Sequence, residues 1–181
     1  LATGSLNMAD LAGILPAVYD SKVILLAFII CMTGLFIKMA FFPVHGWLPN
    51  AYSYAPTASI GIIAPLTTKV MIYVMIRIAM TVFTPAFSFQ ALNLGPVFVW
   101  LAVAAIVMGS LMALAQRDLK KMLTYIIIAE VGYMVGGFWL GNRPGITGSI
   151  LHIVNDALMT LCVFLAAGSL QYRLKDLSLQ N

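Results

Sequence analysis

Residues 57–80 read TASIGIIAPLTTKVMIYVMIRIAM, an apolar run interrupted near its middle by Lys69 and near its end by Arg77. About 20 mostly apolar residues in a helix cross the hydrocarbon core of a bilayer, and this run is long enough. Lipid offers the backbone no hydrogen-bonding partner, so such a run satisfies its amides internally as a helix rather than a strand. Residues 23–43, 97–115, 122–140 and 148–170 have the same character. The expected fold is an all-α, polytopic transmembrane helix bundle of about five spans.

Composition supports this. Of 181 residues, 62% are hydrophobic and only 9% charged, against about 25% charged in soluble domains. The mean hydropathy is +1.00. A net charge of +4 does not indicate nucleic acid, because the ten Lys and Arg are scattered and no zinc-finger or helix-turn-helix pattern accompanies them. The basic residues instead carry topology. Arg117, Asp118, Lys120 and Lys121 crowd the turn between the third and fourth runs, and Arg173, Lys175 and Asp176 follow the fifth. If every run spans, both groups share one side, expected to be cytoplasmic, with the loop at Arg143 outside. The first run then starts outside and ends inside. Cys31 and Cys162 each lie in an apolar run and read as packing residues. The chain begins at Leu1, and residues 1–20 are too mixed for a signal peptide. The expectation is a piece of a longer protein.

Residues 45–56, HGWLPNAYSYAP, carry two prolines, three aromatic rings besides His45, and no formal charge. They read equally as an interfacial loop with an aromatic belt or as the second half of a broken helix. Pro43 favours a break, since proline lacks a donor and clashes with the preceding turn. Broken helices at membrane depth border polar cavities or sites.

A charge at the bilayer centre costs about 2.5–3.5 kcal/mol on insertion scales. Lys38 lies deep in the first run, where snorkelling to the interface explains it if the helix ends near Pro43. Lys69 is too central for that. Tyr73 and Arg77 follow it at i+4 and i+8, a polar stripe on one helix face, and Pro65 frees the carbonyl of Gly61 nearby. Arg77 alone reads as an interfacial anchor. Glu130, in the middle third of the fourth run, must pair with a cation or take a proton. A structural ion pair with a lysine of another helix and a role in transfer carry nearly equal weight. His152, Asp156 and Thr160, spaced i, i+4, i+8 with Asn155 beside them, form a second stripe. A His152–Asp156 hydrogen bond along it would favour imidazolium. Haem ligation by His45 and His152 lacks a second in-span pair. Such a file of Lys, Glu, His and Asp at membrane depth is the composition of a proton or cation relay.

Certain of these segments resemble a known family. GLFIK (34–38), FPVHGWLPNA (42–51), APTAS (55–59) and LTTKVMIY (66–73), continuing to Arg77, are similar to the hallmark of the antiporter-like membrane subunits. AQRDLKKML (115–123), EVGY (130–133) and FLAAG (164–168) continue the likeness over nearly the whole chain. The family comprises proton-pumping subunits of respiratory complex I, subunits of multisubunit cation/proton antiporters, and membrane-arm subunits of energy-converting hydrogenases. The resemblance implies two inverted five-helix repeats, with residues 1–80 the end of the first and 96–181 the start of the second. It implies a discontinuous first span with Lys38 at its break as a protonatable lysine, and Lys69 linking it to the relay. It departs at three places. Asn50 stands where Asp is frequent. Where relatives read His-x-x-Asn-His-x-x-x-Lys, this chain has His152, Asn155, Asp156 and Thr160.

The expected function is proton or cation translocation as one subunit of a redox-driven or antiporter assembly in a bacterial or archaeal inner membrane. The relay would run from Lys38 to Lys69, then to Glu130 and the His152/Asp156 pair, supported by His45, Tyr73, Arg77 and Thr160. No cofactor or metal is expected in this chain; electron transfer would belong to partner membrane-arm subunits. A non-conducting scaffold subunit is the alternative, favoured by Thr160 in place of lysine and opposed by Lys38, Lys69 and Glu130. A quinone- or haem-binding helical subunit is a third reading.

Overall fold

A computed structural model describes residues 3–5, 7–174 and 179. Lys175 and Asp176, in the loop after the fifth run, lie outside the described residues. Among the described residues seven α-helices follow one another: α1 (Met8–Ile14), α2 (Lys22–Met39), α3 (Trp47–Tyr54), α4 (Thr57–Arg77), α5 (Gly95–Leu114), α6 (Leu119–Trp139) and α7 (Arg143–Leu174). Five helical segments among these residues are long and apolar enough to cross a membrane: α2, α4 with its continuation to Val82, α5, α6 and α7. The mixed sequence before residue 20 gives no sign of the short helix α1.

Local chemistry sets the helix ends. Ser21 caps α2 by accepting from the Val23 amide, and Asp118 caps α6 by accepting from the Lys121 amide at 2.9 Å. Asn142 Oδ1 accepts from the Gly145 amide at 2.8 Å at the start of α7. Helix α4 carries Pro65 inside it and passes into a π-helical turn, Ile78–Val82. Helices α5 and α6 approach closely because small residues line their contact. A Cβ on Gly109 would lie 2.9 Å from the Ala129 amide nitrogen, and one on Gly132 3.0 Å from the Ala102 carbonyl.

The first span is broken. It ends at Met39, earlier than the apolar run to Pro43 suggests, because Ala40 turns into the left-handed region at φ 58°. The Phe41 amide donates to Phe36 O at 2.9 Å and the Ala40 amide to Ile37 O at 3.1 Å, which closes the helix with a Schellman pattern. Trp47 Nε1 then reaches back to Ile37 O at 2.8 Å. The chain turns and resumes as α3. Residues 45–56 are therefore the second half of a discontinuous span. Helix α2 packs on α4, and α3 packs on α6.

Contacts between helix ends fix which ends share a side. On one side, Tyr19 OH donates to Phe83 O at 2.9 Å, and Phe89 packs on Trp139. On the other, the Leu179 amide donates to Arg117 O at 2.8 Å, Thr57 bonds Gln171, and Lys120 reaches Ala55 O. The α5–α6 turn and the end of α7 therefore lie together, as the charge pattern requires. The break after Lys38 falls between these two ends.

Candidate ion-relay site

Helix α4 delivers Lys69 to the face packed on α7, and α7 delivers Asp156 and Thr160 one turn apart on the face packed on α4. Lys69 Nζ lies 2.9 Å from Asp156 Oδ2, with both side chains 3% exposed. The same ammonium donates to Thr160 Oγ1 at 3.2 Å, and the threonine hydroxyl donates onward to Asp156 Oδ1 at 2.9 Å. The three groups close a triangle in which Asp156 Oδ1 accepts a hydrogen bond, while Oδ2 faces the ammonium as an ion pair and accepts no hydrogen bond. A buried pair of this kind leaves no uncompensated charge in a medium that penalises one heavily.

A second pair lies beside it. His152 Nε2 is 2.7 Å from Glu130 Oε2, joining α7 to α6, and the Tyr133 ring stands edge-on to the imidazole at 6.1 Å. Between α6 and α7 is a half-open, mostly apolar pocket of about 110 Å³ whose wall includes Glu130, Asp156 and Thr160 among buried Leu123, Ile127 and Phe164, with exposed Ile126, Met159 and Val163 at its rim. The two pairs therefore border one small compartment.

Three expectations change. His152 and Asp156 do not bond to each other along α7; each turns to a different neighbour, because opposite charge is available on α6 and on α4. Glu130 pairs with His152 and not with a lysine. The stripe Lys69–Tyr73–Arg77 does not hold together: Lys69 is buried while Tyr73 and Arg77 are exposed on the outer surface of α4. A helix advances 100° per residue, so about 80° separates i from i+8.

Lys38 sits in the last turn of α2 at the break, exposed and without an ion-pair partner among the described residues. His45 stacks on Phe42 with ring centroids 5.4 Å apart in the turn that follows. Neither touches the Lys69 triangle.

One polar residue reads in the sequence as part of a solvated turn and is not. Lys120 lies in the first turn of α6, is 7% exposed, and donates to Ala55 O at 3.4 Å, at the end of α3. Its ammonium complements the negative end of that half-helix. Nothing in RDLKK distinguishes it from exposed Arg117; only the packing of α3 on α6 does. Among the described residues, no group of three or more His, Cys, Asp or Glu side chains is placed to hold a metal ion.

Known proteins share this arrangement of helices. Residues 1–180 match the family described as NADH:quinone oxidoreductase/Mrp antiporter, TM. The chain is 45% identical over 176 residues to NADH-quinone oxidoreductase subunit N of Desulforudis audaxviator, covering 94% of this chain and 34% of that protein. It is 33% identical over 171 residues to a Na(+)/H(+) antiporter subunit of Alkalihalophilus pseudofirmus, covering 93% and 34%. In a solved structure of the Mrp complex from Dietzia sp. DQ12-45-1b, one chain superposes with a TM-score of 0.84 at 27% identity, covering 93% of this chain and 30% of that one. The chain thus spans about a third of the length of these relatives. By its match over residues 1–180, the chain belongs to the NADH:quinone oxidoreductase/Mrp antiporter transmembrane family.

Proposed function

We propose that this chain provides part of a proton or monovalent-cation path through a membrane subunit of a multisubunit complex. The carrying observation is the closed Lys69–Asp156–Thr160 triangle bordering the compartment that also holds Glu130. A lysine paired with a carboxylate keeps its proton; as the partner is neutralised or withdrawn, it releases it. Moving one charge across 100 mV costs about 2.3 kcal/mol, so each transfer is coupled to a driving process.

The relatives' names supply two such settings, an NADH-quinone oxidoreductase and a Na(+)/H(+) antiporter. On this reading the partners are other membrane-arm subunits, the lipid bilayer is that of a bacterial or archaeal plasma membrane, and redox cofactors sit in other chains. Residues 1–80 and 96–181 would belong to successive inverted repeats. Lys38, at the break, would load Lys69 as α2 and α4 shift against each other. His45 would steady the turn that holds it.

The test is transport by the full-length subunit in its complex, reconstituted in vesicles and followed with a pH-sensitive dye, with and without sodium. The double variant Lys69→Met, Asp156→Leu removes both charges and so strands neither. It should assemble and transport nothing above leak. Undiminished transport by an assembled double variant would reject the relay. Loss of dye response only when sodium is withdrawn from the parent complex would assign the carried ion as sodium.

A further inference from the structure

The Lys69 triangle is a cation site that already holds a cation, the ammonium of the chain itself. That ammonium lies 2.9 Å from Asp156 Oδ2 and 3.2 Å from Thr160 Oγ1, so what α7 sets around it is oxygen. Asp156 Oδ2 is buried yet accepts no hydrogen bond, so its lone pairs answer to charge alone. The Thr160 hydroxyl donates its proton to Asp156 Oδ1 at 2.9 Å, which leaves its oxygen able to accept from whatever cation sits at the centre. Both oxygens come from positions 156 and 160, where this chain departs from the His and Lys of the family pattern. The same two residues are reached from the other side of α7, because they stand in the wall of the pocket between α6 and α7. Glu130 is the remaining polar side chain there, and among the described residues no basic group lines that wall. Oxygen ligands of this kind suit hard cations. Charge selects among them. Glu130 is paired with His152 at 2.7 Å, so Asp156 is the one negative charge left unmatched once Lys69 is neutral. A monovalent ion cancels it; a divalent ion leaves a net positive charge in the interior, where an uncompensated charge is costly.

We infer that Asp156 and Thr160 form a binding site for a monovalent alkali cation, which takes the place of the Lys69 ammonium with one proton released for each cation bound. The inference rests on the relay reading and adds a second ion that competes for the same carboxylate. The exchange conserves charge. Lys69 gives a proton to Asp156, breaking N–H and forming O–H, and both groups become neutral. The carboxyl then loses that proton to water, breaking O–H, as the cation binds the carboxylate and Thr160 Oγ1. One positive and one negative charge occupy the site before and after. Facing Lys69 are Asp156 from α7 and, beyond it, Glu130 from α6, bonded to His152. Helix α2, also packed on α4, carries Lys22 and Lys38 at its two ends and the Cys31 thiol between them. These groups keep their charge in the exchange. A proton lost for each cation gained makes the apparent affinity for the cation rise about tenfold per pH unit while Lys69 is the protonated competitor.

The test is calorimetric titration of the complex that contains the full-length subunit, in mild detergent. Sodium, lithium and potassium chloride are the titrants, with choline chloride holding the ionic strength constant. The parent should take up one alkali cation more per complex than the Lys69→Met, Asp156→Leu double variant. Titrations in buffers of different ionisation enthalpy should show one proton released with that cation, and its apparent Kd should fall about tenfold for each unit rise in pH. Lys69→Met alone removes the competitor and keeps the ligands. It should bind the cation with no proton release and without this pH dependence. Each tenfold rise in sodium above Kd should raise its folded-to-unfolded ratio about tenfold, where choline at equal ionic strength does nothing. Equal uptake by the parent and the double variant overturns the inference, as does an extra cation in the parent that releases no proton. A Lys69→Met subunit that folds and does not bind the cation also overturns it. If Lys69→Met does not assemble, the comparison of the parent with the double variant alone decides. Proton transport lost in the double variant, with no extra cation bound by the parent, leaves the relay standing and removes the cation site. An extra cation in the parent, with undiminished transport in the double variant, keeps the cation site and rejects the relay.

Discussion

The Lys69–Asp156 pair makes a prediction that separates a buried ion pair from two polar residues that merely lie close. At 2.9 Å, with both side chains 3% exposed, each group loses its main charge compensation when its partner goes. Removing one member of such a pair costs about 3–5 kcal/mol, because the other is left as an uncompensated charge or must change its protonation. Replacing both by apolar residues of similar volume is neutral or even stabilising by about 1–4 kcal/mol. Lys69→Met and Asp156→Leu should therefore each lower the stability of the full-length subunit by about 3–5 kcal/mol, while the double variant returns to within about 1 kcal/mol of the parent. Reversible unfolding in mild detergent gives the four corners of the cycle. Raising the ionic strength should leave the coupling unchanged, since salt screens exposed charges and not buried ones. Transport should be lost at all three mutant corners. If the double variant's loss is the sum of the single losses, the two groups do not pair and the triangle is not formed.

Three further outcomes follow from neighbouring contacts. Thr160→Val leaves Asp156 Oδ1 and one ammonium proton without the hydroxyl that links them; stability should fall by about 0.6–2 kcal/mol, measured in the same detergent assay, and serine should rescue it. Lys120→Met removes the cation at the end of α3 and should cost about 0.5–2 kcal/mol, with Lys120→Arg retaining most of it; hydrogen exchange along α3 should rise in the methionine variant. Gly109→Leu drives a side chain into the backbone of α6, where even a Cβ meets the Ala129 nitrogen at 2.9 Å; a loss of about 1–3 kcal/mol is expected, visible as a lower midpoint in thermal unfolding.

The spans were legible because their signal is length, and length survives ignorance of every contact. The fourth run begins at Met122 in the sequence and α6 at Leu119, a difference set by the Asp118 cap that hydropathy does not register. Lys69, Glu130, His152 and Asp156 were legible as costs in apolar runs. Their pairing was not. Sequence spacing relates residues on one helix, so it offered His152 to Asp156 and Tyr73 to Lys69. The stronger attractions lie across helices, where α4 meets α7 and α6 meets α7, and no spacing rule reports those faces. Lys120 was missed for the same reason. A lysine beside a turn is ordinarily solvated, and this one is buried only because a half-helix returns over it. The break was half legible: Pro43 pointed to it, composition left it level with an interfacial loop, and the resemblance decided it. Its physical causes, a left-handed Ala40 and the Trp47 bond to Ile37 O, are visible in the fold alone.

The departures at 156 and 160 then acquire a common meaning. A lysine at 160, as in the family pattern, would set a second ammonium close to Lys69, and the carboxylate at 156 would have to answer both. With threonine there, cation and anion cancel within the triangle and the hydroxyl bridges them. On the proposed reading this changes the form of the transfer. A proton moving from Lys69 to Asp156 breaks an N–H bond, forms an O–H bond and leaves two neutral groups. Low-dielectric surroundings favour that exchange over any step that separates charge. The neutral carboxyl then borders the same compartment as Glu130, so its proton can leave through water while Lys69 is recharged from the side of the broken helix. A histidine at 156 would lack the negative charge that makes this exchange neutral on both sides. On the proposed reading Asp156, which stands where relatives carry histidine, is the group that accepts the proton.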